Sequence, residues 1–213
     1  MKPSVLHVKD PGEDKRGSIR PMKELYVRIR YVLCLLVWIA AVPAAMGQSP
    51  DLTVVIIRHG EKNDATGNLS CKGLHRSLLL PHILNSKFRK PSYVYVPAIS
   101  NGKSTAHGRM LQTVTPMVVQ DNLAVNSRFD VNASVEVGTD ILRRTGVVLV
   151  VWEHGNIPSI AGALGVKDQH LDWDDGDYDS IWVITYANSK KGKLKATLTV
   201  DKEGLNPPDA CNF

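Results

Sequence analysis

The sequence predicts an α/β protein, in which parallel strands form a central sheet covered by helices. Two apolar runs carry this prediction, Val54–Ile57 and Val147–Val151. Their β-branched side chains, apolar on both faces, suit buried parallel strands. Each run ends at a histidine followed by glycine, His59 and His154. Because ligands of open α/β sheets bind at the carboxyl ends of parallel strands, we expect both histidines at one edge of the sheet.

Length and charge favour one globular domain whose partner is not a nucleic acid. The chain has 213 residues, 43% of them hydrophobic and 22% charged, which is enough for one domain with a sizeable core. The formal charge of +5 is concentrated at the amino-terminal end. Residues 1–47 hold eight basic and four acidic residues, which leaves 18 basic and 17 acidic residues for the rest. The body of the chain is close to neutral, so we expect no nucleic-acid partner.

Residues 22–47 resemble a secretory signal peptide. A basic segment that begins near Lys23 precedes the apolar run Tyr31–Val42, and small residues follow at 43–47. A transmembrane anchor is the alternative, but it needs about 20 apolar residues, and this run is shorter and meets Pro43. We therefore expect a periplasmic or secreted protein whose mature domain spans residues 48–213, with membrane contact only through an uncleaved leader. Residues 1–21 are either an extension or the result of a mis-assigned start codon, in which case translation would begin at Met22.

The mature chain keeps two cysteines, because Cys34 lies in the leader. In an oxidising compartment Cys71 and Cys211 invite a disulfide, and two isolated thiols are the alternative.

The remaining elements follow from capping residues, alternation and turn formers. Ser70 is a good helix N-cap, and His82 is expected at or just past the end of that helix. Pro116 is expected near the first turn of the helix that follows Arg109. The other expected elements are a strand at 92–96, a short helix within 156–165, and strands at 180–186 and 195–200 joined by a hairpin turn at 188–193.

The acidic run Asp172–Asp179 resembles a calcium loop but departs from its pattern. Its glycine stands at the fifth place instead of the sixth, and no glutamate closes a twelve-residue loop. We therefore predict a solvated loop and no metal.

Three motifs together resemble the histidine phosphatase superfamily, the phosphoglycerate-mutase-like proteins. They are Arg58-His59-Gly60, the Arg-x-x-Gln-Thr-x-x-Pro stretch that begins at Arg109, and His154-Gly155-Asn156. The resemblance covers roughly residues 52–187 and is greatest to small members without a large inserted cap. It implies a three-layer α/β/α fold with a mostly parallel central sheet. Arg-His-Gly by itself is a weak signal, for which a surface turn with an incidental histidine is the alternative interpretation.

The resemblance also implies a reaction and assigns roles. His59 would be the nucleophile that forms a phosphohistidine, while Arg58, Arg109 and His154 would hold the phosphoryl oxygens. Arginine suits this task because its planar fork donates two parallel hydrogen bonds to phosphate and stays charged. For His59 to attack, one ring nitrogen must be unprotonated and the other held by an acceptor, for which we expect a backbone carbonyl in the turn. The scheme requires no metal or cofactor.

The expected function is therefore an exported phosphatase that hydrolyses phosphate monoesters. The sequence leaves three substrate classes open: phosphorylated glycans, phosphohistidine proteins and small phosphate esters. The alternative is a catalytically silent protein that binds a phosphorylated ligand in the same pocket. A mutase is disfavoured, because it needs a cap over the intermediate and the stretch from Met110 to Val147 is short.

Leaving-group departure requires an acid, and three carboxylates are candidates, Glu61, Glu136 and Glu153. Glu61 would serve equally well to orient the loop that follows His59. Glu136 lies in a short segment whose position relative to Arg109 the sequence does not fix. Glu153 is favoured as the acid, although strict strand alternation would send its side chain away from His154.

Overall fold

The computed structural model describes residues 51–99, 107–168, 170–189 and 194–211. All of them belong to one compact unit, Met46–Phe213. The expected extension (1–21) and signal peptide (22–47) lie outside the described residues. None of the helices formed by the described residues has both the length and the apolar character needed to cross a membrane.

Six strands and four α-helices make up the described fold, in the order β1 (Leu52–Arg58), α1 (Cys71–Lys87), β2 (Tyr93–Tyr95), α2 (Gly108–Asp121), β3 (Val125–Asn126), α3 (Ser134–Ile141), β4 (Gly146–Trp152), α4 (Ile157–Ala163), β5 (Ser180–Asn188) and β6 (Leu194–Lys202). A single turn of 3-10 helix, His154–Asn156, joins β4 to α4. The strands form one sheet in the order β3-β2-β4-β1-β5-β6.

The sheet confirms the predicted fold class, α/β with a mostly parallel sheet. β4 runs parallel to β1 and to β2, and β3 runs parallel to β2, whereas β5 and β6 are antiparallel to their neighbours. The apolar run Val54–Ile57 is at most 2% exposed, as expected of a central strand covered on both faces.

Helices cover the sheet in two packed pairs, α1 against α2 and α3 against α4. Crossovers between parallel strands are right-handed almost without exception. The chain moves in one direction from β1 through β2 to β3, and then returns to β4. The reversal places α3 on the face opposite α1 and α2, which produces the three layers.

The register of β1 and β4 brings the two His-Gly sites to the same edge. Arg58 lies opposite Trp152 in the parallel ladder. The backbone N–H of His59 then donates to the carbonyl of Trp152 at 3.1 Å. This arrangement confirms the expectation that both histidines follow the carboxyl ends of adjacent parallel strands.

Two helices extend further past proline than the sequence predicted. α1 continues through Pro81 to Lys87, so His82 lies inside the helix, and α2 carries Pro116 in its interior. An interior proline costs about 3 kcal/mol because it removes a hydrogen bond and crowds the preceding turn. In α1 this cost is offset by the burial of Leu80 and Leu84, each roughly 1.5 to 3 kcal/mol.

A disulfide joins Cys71, the first residue of α1, to Cys211 near the end of the chain, which confirms the predicted bridge. The two cysteines are 140 residues apart in the sequence, and their Cα atoms are 5.0 Å apart. Beside the bridge, His75 hydrogen bonds the carbonyl of Ala210 at 2.9 Å. The carboxyl-terminal segment is thereby held against the start of α1.

Candidate active site

His59 is a buried, neutral imidazole at the end of β1. Its side chain lies within hydrogen-bond distance of two groups, since Nδ1 is 2.7 Å from the carbonyl oxygen of Gly60 and Nε2 is 2.9 Å from Nε of Arg109. A carbonyl only accepts, so Nδ1 carries the hydrogen and Nε2 keeps its lone pair. The acceptor is the turn carbonyl that the sequence argument expected.

The protonation of His59 follows from its surroundings. The pKa of His59 is lowered from 6.5 to about 3, mainly by burial and also by the nearby cations Arg109 and Arg58, while the hydrogen bond to the Gly60 carbonyl opposes the shift. The imidazole is 1% exposed. Its Nε2 is therefore an unprotonated nucleophile at neutral pH, without any need for a base to activate it.

The turn that carries His59 is fixed between α1 and α2. The N–H of Gly60 donates to the hydroxyl of Thr113 at 2.9 Å, and this hydroxyl donates to the carbonyl of Arg109 at 2.8 Å. On the other side, a Cβ at Gly73 would lie 2.2 Å from the carbonyl oxygen of Glu61.

The same packing explains the glycine at position 60. A Cβ there would lie 2.9 Å from the carbonyl oxygen of Gly73. Gly60 is required because α1 packs on the turn.

Arg109 lies in the first turn of α2 and contacts two other candidate residues. It is 9% exposed, and its Nε donates to His59. Its Nη2 lies 3.8 Å from Oε1 of Glu153. The structure thus brings His59, Arg109 and Glu153 together from β1, α2 and the end of β4.

Arg58 is held by backbone carbonyls of the segment 174–178, which we call the acidic loop. Its Nη1 donates to the carbonyl of Asp175 at 2.6 Å, and its Nη2 donates to the hydroxyl of Tyr178 at 3.2 Å. The guanidinium also lies 3.9 Å from the centroid of the Tyr178 ring. Its Nε is buried and has no hydrogen-bond partner among the described residues. Burial lowers the pKa of Arg58, although a group this basic stays charged.

His154 contacts the acidic loop as well. Its Nε2 lies 2.7 Å from Oδ1 of Asp175, and its Nδ1 is buried without a partner in the described part of the chain. His154 also acts on His59, since it helps to lower the pKa of that imidazole. All four candidate residues of the phosphoryl pocket are thus linked by contacts or by charge.

The acidic run Asp172–Asp179 has exposed carboxylates at Asp172, Asp174 and Asp175, as expected of a solvated loop, but its backbone is held by the site. Trp173, beside the loop, is 4% exposed, packs 5.0 Å from Trp182 between ring centroids, and donates to the carbonyl of Asp177 at 2.9 Å. Sequence reasoning missed Asp175 and Tyr178 as site residues. The available signal was the two aromatic residues inside the acidic run, Trp173 and Tyr178, because aromatic side chains that pack against the protein anchor a loop. Among the described residues, no cluster of three or more His, Cys, Asp or Glu side chains is arranged to hold a metal.

The three candidate acids differ in their surroundings. Both carboxylate oxygens of Glu61 bind Arg76, at 3.0 Å and 2.8 Å, and Arg76 is 3% exposed. Burial alone would raise the pKa of Glu61, but its hydrogen bonds with Arg76 hold it below the ordinary value. Glu136 is exposed in the first turn of α3. Of the three, Glu153 contacts a side chain bonded to His59.

Glu203 completes a buried network with Arg76 and Glu61. It accepts a hydrogen bond from Nη1 of Arg76, whose other nitrogens already bind Glu61. Burial raises the pKa of Glu203 to about 7, although Arg76 opposes the shift. The guanidinium of Arg76 therefore binds two carboxylates. This network holds Glu61, which lies two positions after His59.

The fold is shared with a known phosphatase at low sequence identity. A mycobacterial glucosyl-3-phosphoglycerate phosphatase superposes with a TM-score of 0.51 at 13% identity, covering 70% of this chain and 97% of its own. The protein histidine phosphatase SixA complexed with tungstate has a TM-score of 0.46 at 17% identity, over 71% of this chain and 97% of its own. A phosphoglycerate mutase from Plasmodium falciparum has a TM-score of 0.46 at 11% identity, over 76% and 97%.

No family model matches the chain, and no curated protein matches its sequence significantly. The similarity to the mycobacterial phosphatase shows a common fold. The fold expected from the resemblance to the histidine phosphatase superfamily is therefore confirmed.

Proposed function

We propose that this chain is a phosphatase of the histidine phosphatase superfamily, which hydrolyses phosphate monoesters through a phosphohistidine at His59. The observation that carries the proposal is the state of His59. Its imidazole is neutral, held through Nδ1 by the Gly60 carbonyl, and its Nε2 lone pair faces the guanidinium of Arg109. A nucleophilic nitrogen beside fixed cations suits transfer of an anionic phosphoryl group.

In the first step, Nε2 of His59 attacks phosphorus and forms the P–N bond, while the bond from phosphorus to the ester oxygen breaks. The departing oxygen takes a proton from Glu153, which we propose as the acid because it approaches Arg109 and is 31% exposed at its side chain. In the second step, water attacks phosphorus, the P–N bond breaks, and Glu153 takes the proton from water. The products are an alcohol and inorganic phosphate, with His59 restored.

Arg58, Arg109 and His154 bind the phosphoryl oxygens, over which negative charge spreads during both steps. Arg109 must first release His59, because its Nε–H engages the lone pair that attacks. A phosphoryl oxygen is a stronger acceptor for this N–H, since it is charged. Arg58 and His154 each have one buried nitrogen without a partner in the described part of the chain, as a pocket for an oxyanion would require.

The proposed substrate is a phosphorylated small molecule or glycan. The mycobacterial protein with this fold is a glucosyl-3-phosphoglycerate phosphatase. This supports a phosphate ester as the substrate class and leaves the particular ester to be identified by screening.

A catalytically silent phospholigand-binding protein is the second candidate. The observation that favours it is the hydrogen bond from Arg109 to Nε2 of His59, which covers the attacking nitrogen in the ligand-free protein.

Brief reaction with a radiolabelled phosphate ester separates the two candidates. A phosphatase should acquire an acid-labile, base-stable label at His59, and His59→Ala should lose both the label and turnover. Full activity of His59→Ala would refute the nucleophile. A panel of phosphate esters that bind without label or turnover would favour the silent binder.

We also propose that the protein is exported after removal of residues 22–47. The disulfide between Cys71 and Cys211 supports an oxidising compartment, because such bridges are rare in the cytosol. Amino-terminal sequencing of the periplasmic or secreted protein should begin near Ala45 or Gln48. Recovery in membranes with residues 31–46 intact would favour an anchor instead.

A further inference from the structure

We propose that Asp175 is a positioning residue of the phosphoryl pocket, whose carboxylate keeps His154 protonated and oriented so that its free nitrogen donates to the ligand. The inference rests on the proposed pocket but not on turnover, because it concerns how an oxyanion is held.

The contact between the two side chains dictates the protonation that is needed. Nε2 of His154 donates to Oδ1 of Asp175 across 2.7 Å, so this nitrogen carries a hydrogen. Nδ1, which is buried and has no partner in the described part of the chain, is left for the ligand. A neutral imidazole with its hydrogen on Nε2 would present a lone pair at Nδ1 and repel a phosphoryl oxygen. Only the imidazolium donates from both nitrogens.

Asp175 is the carboxylate that faces His154 among the charged groups of the pocket. Arg58 and Arg109 are cations that act electrostatically on His59, and His59 is neutral. Glu153, which precedes His154, makes its contact with Arg109. Asp175 is thus the carboxylate in direct contact with His154, and an adjacent carboxylate favours the charged form of an imidazole.

The backbone of the acidic loop explains why an exposed carboxylate can hold this position. Exposed ion pairs ordinarily contribute little, because ordering two side chains costs entropy. Here the side chain of Asp175 is 94% exposed, but its own carbonyl is fixed by Arg58 at 2.6 Å. Trp173, buried beside the loop, binds the carbonyl of Asp177. The loop therefore presents the carboxylate to His154 from a fixed backbone.

One residue thereby orients two members of the pocket. The carbonyl of Asp175 occupies Nη1 of Arg58, and the hydroxyl of Tyr178 occupies Nη2, which leaves Nε for a ligand oxygen. The carboxylate of Asp175 likewise occupies one nitrogen of His154 and leaves the other. Both free nitrogens are on side chains at the ends of adjacent strands, β1 and β4.

The competing interpretation is that the carboxylate of Asp175 stands where the phosphoryl group binds and must leave before it enters. The two interpretations predict opposite signs. A positioning carboxylate strengthens anion binding, whereas a competing one weakens it.

The test is the dissociation constant of inorganic phosphate, measured by calorimetry between pH 6 and 8.5 for the full-length protein, Asp175→Asn and Asp172→Asn. Asp172 is an exposed acid of the same acidic run, Asp172–Asp179, but lies outside the acidic loop. Its substitution is therefore the matched control for the loss of one charge. The ionisation of phosphate itself is common to all three proteins. Asp175→Asn should weaken binding about tenfold, as expected for loss of a charge-assisted hydrogen bond.

Equal affinities for the two variants, or tighter binding by Asp175→Asn, would overturn the positioning role. A parent protein that binds no phosphate would overturn both this role and the pocket. Phosphate binding that follows the expected pattern without any ester hydrolysis would count against the phosphatase alone. Equal thermal midpoints of the three proteins would show that the differences arise at the site.

Discussion

The burial of His59 predicts a specific loss of stability in acid. The pKa of the imidazole is about 3 in the folded chain and 6.5 in a solvated one. Between these values the unfolded chain binds a proton that the folded chain does not, so stability rises with pH and is lost as the pH falls below 6.5. At pH 4.5 the medium is about two units below the unfolded value. At 1.36 kcal/mol per unit, the loss attributable to His59 is roughly 3 kcal/mol.

Urea unfolding of the parent protein and His59→Gln at pH 8 and pH 4.5 measures this loss. Between the two pH values the parent should lose about 3 kcal/mol more than the variant, whose side chain does not titrate. Glu203 acts in the opposite direction, because its raised pKa makes stability fall as pH rises from 4.5 to about 7. This effect is common to both proteins and cancels in the difference. An identical pH dependence would refute the buried, neutral state of His59.

Three further predictions concern the acid, the turn and the bridge. Glu153→Gln should slow hydrolysis of alkyl phosphates by about 10²- to 10⁴-fold and affect activated aryl phosphates far less, because their leaving groups need no proton. Gly73→Ala should lower the free energy of unfolding by about 3 kcal/mol, since the added carbon would lie 2.2 Å from the carbonyl oxygen of Glu61. Reduction of the bridge between Cys71 and Cys211 should lower it by about 4 to 5 kcal/mol in the chain-entropy model, measured in urea with and without reductant.

Each of these predictions has a control. Equal slowing of both ester types by Glu153→Gln would direct attention to Glu136. Gly162→Ala is the control for Gly73, because a Cβ at position 162 would meet nothing within 4 Å and should leave stability nearly unchanged. For the bridge, titration of two free thiols in the denatured, unreduced protein would contradict the disulfide.

The strands and the histidines at their ends were predictable because their signal is local. Val54–Ile57 and Val147–Val151 have side chains that suit a covered strand, and His59 and His154 follow these runs within three residues. Parallel pairing then requires that both histidines share an edge. No distant residue had to be known to reach that conclusion.

The acidic loop was not predictable, because its position depends on contacts more than a hundred residues apart. Arg58 binds the carbonyl of Asp175 from 117 positions away in the chain. Backbone carbonyls have no signature in a sequence, so the aspartate side chains suggested only contact with solvent, whereas the main chain of the loop binds Arg58.

The short helix α3 was not predicted either, because eight residues with two β-branched valines give a weak periodic signal.

The two glutamates bound to Arg76 illustrate a third kind of difficulty. Glu61 lies beside the nucleophile in sequence and was a reasonable candidate acid. Its partner Arg76 and the second carboxylate, Glu203, come from a helix and from the carboxyl-terminal segment. Only the folded chain shows that Glu61 is committed to this network.

The first two turns of α1 carry three attachments in succession: the bridge at Cys71, the close contact at Gly73 and the ion pairs of Arg76. Two of these attachments end at residues 203 and 211, well after His154 along the chain. A chain synthesised as far as α4 therefore contains every residue proposed to bind phosphate, but not Glu203 and Cys211, which complete the attachments of α1 beside the nucleophile turn. We therefore expect such an incomplete chain to carry the motifs without the full set of contacts that hold α1 against the turn.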